Sequence, residues 1–130
     1  MVCHNPDVTI LLVGAGGFFG AISRYLVDGW VSSLTGGAFP WGTFVINVTG
    51  SFVLGLLFAL SIERAILPSA IRPPILVGFI GAYTTFSTLT LESWRLVEDG
   101  SYALAFVNVG GSMVLGMVAV LAGLTLGRAL

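Results

Sequence analysis

The sequence predicts an all-α integral membrane protein, with four membrane-spanning helices in a single domain that covers residues 1–130. Hydrophobic residues make up 56% of the chain and charged residues only 8%, whereas a soluble globular domain carries roughly 25% charged residues. A chain with so few charges cannot cover itself with a surface suited to water. At roughly 20 apolar residues per crossing, the chain accommodates about four spans and no sizeable extramembrane domain.

The first two predicted spans cover residues 8–34 and 40–62. Asn5 and Pro6 precede the first span. We expect this span to be a membrane helix, because the first seven residues contain no Lys or Arg and the apolar run that follows is long for a removable signal peptide. Pro40 opens the second span.

The third and fourth predicted spans cover residues 75–97 and 102–126. Residues 63–74 between the second and third spans contain charged side chains and three prolines, so they form the clearest loop of the chain. A short acidic turn at residues 98–100 separates the last two spans.

The remaining composition excludes several classes of function. A formal net charge of -1 provides no basic surface, so we expect no nucleic-acid partner. Cys3 is the only cysteine, which rules out an internal disulfide and a thiolate metal site, and we expect Cys3 to be inert. His4, the only histidine, lies beside it.

Arginine positions leave two interpretations of membrane orientation open. Four spans place both termini on one side, and an excess of Lys and Arg normally marks the cytoplasmic side. The chain has no Lys; three arginines fall on the side of the termini and two fall toward the other: Arg64, Arg72 and Arg128 against Arg95 and Arg24. Either another feature sets a single orientation, or the chain inserts both ways and pairs antiparallel with itself.

Small residues four positions apart recur along the spans. Lipid provides no hydrophobic drive for helix association, so close backbone approach through small residues must provide it. Any one pair is explained by the general abundance of glycine, but the set predicts tight packing and an oligomer, because four helices alone enclose little space. The pairs are Gly16/Gly20, Ser51/Gly55, Ser112/Gly116 and Gly123/Gly127.

Polar side chains inside the spans are the most informative residues, because a polar group in hydrocarbon costs several kcal/mol unless it is satisfied. In the second span Thr43, Asn47 and Ser51 follow one another at intervals of four and share a helical face. In the fourth span Asn108 and Ser112 have the same spacing.

The third span contains five hydroxyl side chains around Phe86, in residues 84–90, and Gly78 and Gly81 precede them. An isolated hydroxyl usually bonds back to a carbonyl of the preceding turn. This density predicts instead a helix that is broken in mid-membrane, with freed carbonyls suited to a cation. Helical periodicity places Thr84, Ser87, Thr88 and Glu92 on one face and Thr85 off that face.

These side chains favour a small anion or a neutral polar solute. Amides and hydroxyls donate hydrogen bonds without carrying charge. Arg24 is the only cationic side chain well inside a span, and Asp28 lies four residues further, close enough to pair with it. A cation pathway would need several carboxylates, and Glu92 is the lone candidate. An edge of the Phe86 ring carries partial positive charge, which suits an anion.

Three ordered motifs resemble the Fluc (CrcB-type) fluoride ion channel family, and the resemblance covers essentially the whole chain. Each motif alone is weak, but their order and spacing in a four-span chain are specific. They are residues 16–25 (GGFFGAISRY), residues 42–47 (GTFVIN) with 50–52 (GSF), and residues 78–81 (GFIG) with 84–88 (TTFST) and Glu92.

The resemblance implies an antiparallel, dual-topology homodimer in the plasma (cell inner) membrane. It implies two fluoride pores at the subunit interface and a structural sodium ion at the dimer centre. It also implies passive, channel-type efflux that lowers cytoplasmic fluoride. The partners would then be fluoride, sodium, the lipid bilayer and a second copy of the chain.

The same resemblance assigns roles to individual residues. Asn47 would donate its amide to fluoride, and Phe86 would present its ring edge. Polar residues along the pore would be Ser87, Thr88, Ser112 and Thr43. Arg24 would make an entrance electropositive, and Glu92 would lie at the end of the polar track. The sodium ion would be held by backbone carbonyls of Gly81 and Thr84.

Three positions depart from the family pattern. Leu89 stands where many members have a second phenylalanine, Asn108 where a tyrosine is common, and Gly116 where a hydroxyl is frequent. These departures leave open a heterodimer in which a paralogous subunit supplies the missing ring.

Two other classes of protein remain as alternatives at this level. A small four-span, proton-coupled drug or cation exporter would need a carboxyl deep in the first span, where this chain has Arg24 with Asp28 close by. A non-transporting assembly subunit would not require polar faces on three helices. We expect no enzymatic activity, since no nucleophile–base pair or metal-ligand cluster is present in the sequence.

Overall fold

A computed structural model describes residues 5–130; the expectations for Cys3 and His4 concern residues outside this range. Within it, four helical segments are long and apolar enough to cross a membrane. The prediction of an all-helical chain with four spans is therefore confirmed. The segments are Pro6–Leu34, Trp41–Glu63, Ser69–Glu98 and Tyr102–Ala129.

Five helices, α1 to α5, make up these segments. The second span begins as a regular α-helix and ends in a π-helical turn, Ala59–Glu63. The third span consists of a 3-10 turn, Ser69–Ile71, followed by two separate helices. The helices are α1 (Pro6–Leu34), α2 (Trp41–Phe58), α3 (the π-helix Pro74–Ile80 continued by Gly81–Tyr83), α4 (Phe86–Glu98) and α5 (Tyr102–Ala129).

Local sequence explains where several helices start and stop. The Asn5 side chain accepts a hydrogen bond of 3.0 Å from the Asp7 amide, which caps the start of α1. Pro74 occupies the first turn of α3, where its missing N–H costs nothing. Gly100, with a φ of 76°, turns the chain between α4 and α5.

Glycines let the helices approach closely within the chain. A Cβ at Gly16 would collide with the Pro74 carbonyl, and one at Gly20 with the Phe79 carbonyl, where α1 packs on α3. A Cβ at Gly55 would meet the Val120 carbonyl, where α2 packs on α5. The small residues therefore serve contacts inside one chain, and they do not by themselves argue for an oligomer.

The third span is interrupted between α3 and α4. Thr84 and Thr85 have extended backbones, with φ and ψ of -79° and 158° at Thr84 and of -150° and 122° at Thr85. Because of this break, the periodicity of α3 does not continue into α4. Thr84 consequently does not share a helical face with Thr88 and Glu92, contrary to the expectation from helical periodicity.

An ion pair joins the ends of the second and fourth spans. The Arg128 guanidinium donates two hydrogen bonds of 2.7 Å to the Glu63 carboxylate, one to each oxygen. Such a two-point geometry is the strongest form of this pair, and it holds the last turn of α5 against the π-helical turn that ends the second span.

Candidate functional site

A groove of about 250 Å³ runs along the chain where α2, the break and α5 meet. It brings together three residues that the sequence analysis selected from three different spans: Asn47, Phe86 and Ser112. Thr84, Thr85 and Leu89 also line it. A second groove of about 420 Å³ continues from it between α2 and α5, past Gly116.

Asn47 holds the break in the third span. Its Nδ2 donates to the Thr85 carbonyl at 2.9 Å, and its Oδ1 accepts from the Thr85 amide at 2.8 Å. The side chain thus replaces the hydrogen bonds that a continuous helix would have made, as an interrupted membrane helix requires. An asparagine amide has two N–H donors, so one N–H remains available to the groove.

Thr85 caps the helix that follows the break. Its Oγ1 accepts from the Thr88 amide at 3.2 Å and contacts the Thr88 hydroxyl at 3.0 Å. Threonine is one of the residues preferred at the N-cap of a helix. Thr85 is therefore the central residue of the break, although the sequence analysis placed it off the polar face. The signal that identifies it is the Thr–x–x–Thr spacing at the start of α4.

The break frees the carbonyl groups at the end of α3, among them those of Gly81 and Thr84. In a continuous helix the Thr85 amide would bond to the Gly81 carbonyl, and the Thr88 amide would bond to the Thr84 carbonyl. Both amides bond to side chains instead, those of Asn47 and Thr85. The carbonyls of Gly81 and Thr84, which the resemblance assigns to a sodium ion, are therefore among those released.

Few hydroxyl groups in the groove have a free proton. Ser51 donates to the Asn47 carbonyl at 2.6 Å, and Thr84 donates to the Ile80 carbonyl at 3.0 Å. Ser112 contacts no hydrogen-bonding partner within residues 5–130. The two uncharged donors beside the groove that have no partner within residues 5–130 are therefore the second Asn47 N–H and the buried Ser112 hydroxyl.

Phe86 and Leu89 both border this groove but differ in exposure. The Phe86 side chain is 74% exposed, whereas Leu89 is 5% exposed and packs inside the chain. Phe86 is thus free to meet a solute or a second protein surface. Leu89 belongs to the packed interior of this chain.

A second, separate cleft of about 210 Å³ collects most of the other selected residues. Arg24, Thr43 and Thr88 line it, together with Asp28 and Thr85. Thr85 is the one residue that borders both cavities. The structure therefore divides the predicted site into a groove of uncharged donors and a cleft that carries charges of both signs.

Glu92 and Ser87 lie at the margins of these cavities. The Thr43 hydroxyl donates to the Glu92 carboxylate at 2.9 Å, which joins Glu92 to the charged cleft. Ser87 is exposed and lines neither cavity; its hydroxyl lies 3.5 Å from that of Thr85.

The possible pair between Arg24 and Asp28 does not form. Within residues 5–130 the one ion pair is Arg128 with Glu63. The Asp28 carboxylate packs instead against the backbone of Gly42 at the start of α2, where a Cβ would collide with it. Arg24 therefore brings an unpaired positive charge to the cleft.

One buried polar contact was not predicted from the sequence. Asn108 is completely buried, and its Nδ2 donates to the Ser93 hydroxyl at 2.9 Å across the α4–α5 contact. The sequence analysis named Asn108 as a polar residue in line with Ser112 and as a departure from the family pattern, and it did not select Ser93. Their spacing along the sequence contains no signal for this pairing, because the two residues lie on different helices.

The fold and these cavities define a small multi-pass membrane protein with polar side chains gathered in two cavities. The chain belongs to the CrcB family, because the family model described as CrcB-like protein, Camphor Resistance (CrcB), matches residues 11–124. The similarity to the fluoride-channel family inferred from the three motifs is thereby confirmed.

Several bacterial relatives align over nearly the full chain. A protein of Magnetococcus marinus is 45% identical over 119 residues, which are 92% of this chain and 97% of the relative. A protein of Hahella chejuensis is 42% identical, over 92% of this chain and 94% of the relative. One of Geobacter sulfurreducens is 39% identical, over 94% and 98%. Each is named fluoride-specific ion channel FluC.

These relatives decide between the classes considered above. They are ion channels by name, which confirms the expectation that this chain is not an enzyme and does not favour the proton-coupled exporter. Together with the four apolar helices, they assign the chain to the cell inner membrane as a multi-pass protein.

Proposed function

We propose that this chain is a fluoride-selective ion channel that lowers cytoplasmic fluoride by passive efflux. The names of the relatives support this function. The observation in the structure that carries the proposal is the Asn47 amide, which two hydrogen bonds of 2.9 and 2.8 Å to the Thr85 backbone hold rigidly beside the groove.

Rigid, uncharged donors suit fluoride for a physical reason. A small halide gives up a tightly held water shell on entering a pore, so donors that replace this shell must already be oriented. The second Asn47 N–H and the Ser112 hydroxyl are such donors, and the edge of the Phe86 ring adds partial positive charge. None of these groups holds the anion by a full charge, which permits rapid passage.

The pore requires a second copy of the chain, in antiparallel orientation. The groove is bordered by Phe86 and Met113, which are 74% and 56% exposed, so one chain leaves it open on that side. A second copy would close both grooves and form two pores. The near balance of arginines between the two sides of the membrane supports insertion in both orientations.

The position of the break supports the mid-membrane location expected from the sequence. Thr84 and Thr85 lie within two residues of the centre of the 30-residue span Ser69–Glu98. Extended backbone at that depth is stable only when it is enclosed by protein or lines a cavity, and both residues line the groove.

A structural sodium ion fits the groups at the break. The carbonyls of Gly81 and Thr84 lack their helical partners, because the Thr85 and Thr88 amides bond to side chains. Carbonyl oxygens are the ligands that hard cations prefer. Gly81 is exposed, and a Cβ there would meet open space, which leaves room for the same carbonyls of a second copy. Bound there, sodium would supply the positive charge that links the two subunits.

Arg24 and its cleft are the proposed entrance. An unpaired guanidinium raises the local concentration of anions, and the cleft adjoins the groove through Thr85. The path between the entrance and the donors would be bordered by Thr43 and Thr88, which line the cleft. Glu92, bonded to the Thr43 hydroxyl, and Ser87, whose hydroxyl lies 3.5 Å from that of Thr85, would flank it.

Fluoride efflux from liposomes tests the proposal directly. The purified chain, reconstituted alone, should release trapped fluoride to a fluoride-selective electrode once a potassium ionophore balances the charge. Protein-free vesicles and vesicles loaded with chloride are the controls. Equal release of fluoride and chloride, or release of neither, contradicts the proposal. Efflux by the single chain also favours a homodimer over a pair with a paralogous subunit.

A further inference from the structure

Two buried polar atoms on α5 contact no hydrogen-bonding partner within residues 5–130. They are Asn108 Oδ1 and Ser112 Oγ, on side chains that are 0% and 6% exposed. A buried acceptor without a partner costs about 1–3 kcal/mol, so such atoms are normally satisfied. A second subunit cannot reach Asn108, because this chain covers it completely.

The orientation of the Asn108 amide follows from its neighbours. The Ser93 hydroxyl donates its single proton to the Leu89 carbonyl at 2.7 Å. Ser93 can therefore only accept from Asn108, at 2.9 Å, which requires the Asn108 NH₂ to face Ser93. The carbonyl oxygen of the amide, an acceptor without a proton, must then point away from Ser93.

Ser112 differs from many of the other hydroxyl side chains of the spans. Seven of them donate to the carbonyl four residues earlier, which leaves no proton for another partner: Thr9, Thr49, Ser51, Ser61, Thr84, Ser93 and Thr125. Ser112 makes no such bond. Its proton is free, and its direction depends on whatever contacts its oxygen.

We propose that one buried water molecule bridges Asn108 and Ser112, and that Asn108 is thereby a positioning residue for Ser112. Residues four apart on a helix have Cβ atoms about 5–6 Å apart, a separation that one water spans with two ordinary hydrogen bonds. The water donates one hydrogen to Asn108 Oδ1 and the other to Ser112 Oγ.

This arrangement directs the Ser112 proton into the groove. Ser112 Oγ accepts from the water, so its own proton points toward the side that Asn47 and Phe86 line. A direct bond from Ser112 to Asn108 Oδ1 would have the opposite result, because a lone pair would then face the groove and repel an anion. The inference rests on the proposed fluoride function, and it specifies how one of the two donors is oriented.

A high-resolution structure of the wild-type protein tests the water without reference to transport. We expect ordered density within about 2.7–3.2 Å of both Asn108 Oδ1 and Ser112 Oγ. The density should disappear in an Asn108→Leu variant, which has no acceptor at this position. Direct contact between the two side chains, or an Asn108 amide with its NH₂ toward Ser112, overturns the proposal.

A cycle of variants in the efflux assay tests the positioning role. Ser93→Ala removes the group that orients the Asn108 amide, so fluoride efflux should fall about tenfold, the equivalent of one ordinary hydrogen bond. The same change in a Ser112→Ala background should have almost no effect, because no hydroxyl remains to be oriented. Ser61→Ala, which removes another buried serine hydroxyl far from the groove, is the matched control.

The results separate this inference from the proposed function. An equal factor of loss from Ser93→Ala in both backgrounds means that Ser93 and Asn108 only pack α4 against α5, which overturns the positioning role. Size-exclusion chromatography checks that each variant remains assembled. If the wild-type protein passes no fluoride, the proposed function fails, and the water is then judged by the structure alone.

Discussion

The break between α3 and α4 and the contact between α2 and α5 satisfy their backbones in opposite ways. At the α2–α5 contact both helices are continuous, and glycines such as Gly55 and Gly123 bring the two backbones together. At the break, side chains of Asn47 and Thr85 replace lost backbone hydrogen bonds. The first region contributes stability through close packing, and the second exposes donors and carbonyls at the cost of needing polar side chains to support them.

Replacement of Asn47 by aspartate should have the largest effect on function. Asn47→Asp loses the N–H that bonds to the Thr85 carbonyl and the N–H that faces the groove, and it introduces a negative charge into an anion path. We expect fluoride efflux to fall at least about 100-fold, because removing one partner of a buried hydrogen bond to a polar group already costs about 1–3 kcal/mol. The fluoride-electrode assay measures the loss.

As a control, the assembly of the Asn47→Asp variant is compared with that of the wild-type protein. The α2–α5 contact is made by glycines such as Gly55 and Gly123 and does not depend on the amide, so the variant should still elute from size-exclusion chromatography at the position of the wild-type protein. Efflux at the wild-type rate would show that the Asn47 amide is not on the ion path. Loss of the folded protein would show that the break contributes to stability as much as the glycine contact does.

Replacement of Gly123 by valine should damage stability before it damages selectivity. A Cβ at Gly123 would collide with the Phe52 carbonyl and approach the Leu56 amide at 2.7 Å. We expect a loss of about 3 kcal/mol, the upper end of the overpacking range, because rigid backbone cannot move aside. Thermal unfolding in detergent measures the loss.

Gly29→Val is the control for this prediction. A Cβ at Gly29, which is exposed on α1, would meet nothing within 4 Å. The variant should unfold close to the wild-type temperature. If both variants unfold alike, the glycines of α2 and α5 are not the source of the packing energy.

Sequence patterns predicted the packing regions better than the break. Small residues at intervals of four mark the face on which a single helix packs closely. Close packing at Gly16 and Gly123 could therefore be predicted without knowing the fold. The density of hydroxyls in residues 84–90 indicated a break in the helix but not which residues form it. Helical periodicity therefore placed Thr85 off the polar face, whereas an extended backbone makes it the central residue.

Helical periodicity could not predict which side chains bond between helices. Asn108 and Ser93 bond across α4 and α5, and nothing in their spacing indicates the pairing. Similarly, Arg24 and Asp28 have the spacing of an ion pair, but the backbone of Gly42 offers Asp28 a different contact. The spacing shows which residues share a face, and only the fold shows what that face meets.

The two apolar residues at the groove should differ in their effect on transport. Phe86→Ile removes an exposed ring edge from the groove, so we expect fluoride efflux to fall about tenfold, the upper range of a single aromatic contact. Leu89→Ile conserves volume in a buried position and should lower efflux by no more than about twofold. The same liposome assay measures both. Equal losses would mean that the Phe86 ring serves only as packing beside the break.

The charged cleft should give the smallest effects, with opposite signs for its two charged residues. Arg24→Gln removes the unpaired cation, so fluoride should enter more slowly, by about threefold at low salt. Asp28→Asn removes a negative charge from the same cleft and should raise the rate by a similar factor. Both effects should shrink as ionic strength rises toward 1 M, where the screening length falls to about 3 Å. Efflux measured across a series of inert salt concentrations checks both signs. An effect of Arg24→Gln that persists at high salt would mean that Arg24 contacts the ion directly, and the cleft would then belong to the binding path as much as the break does.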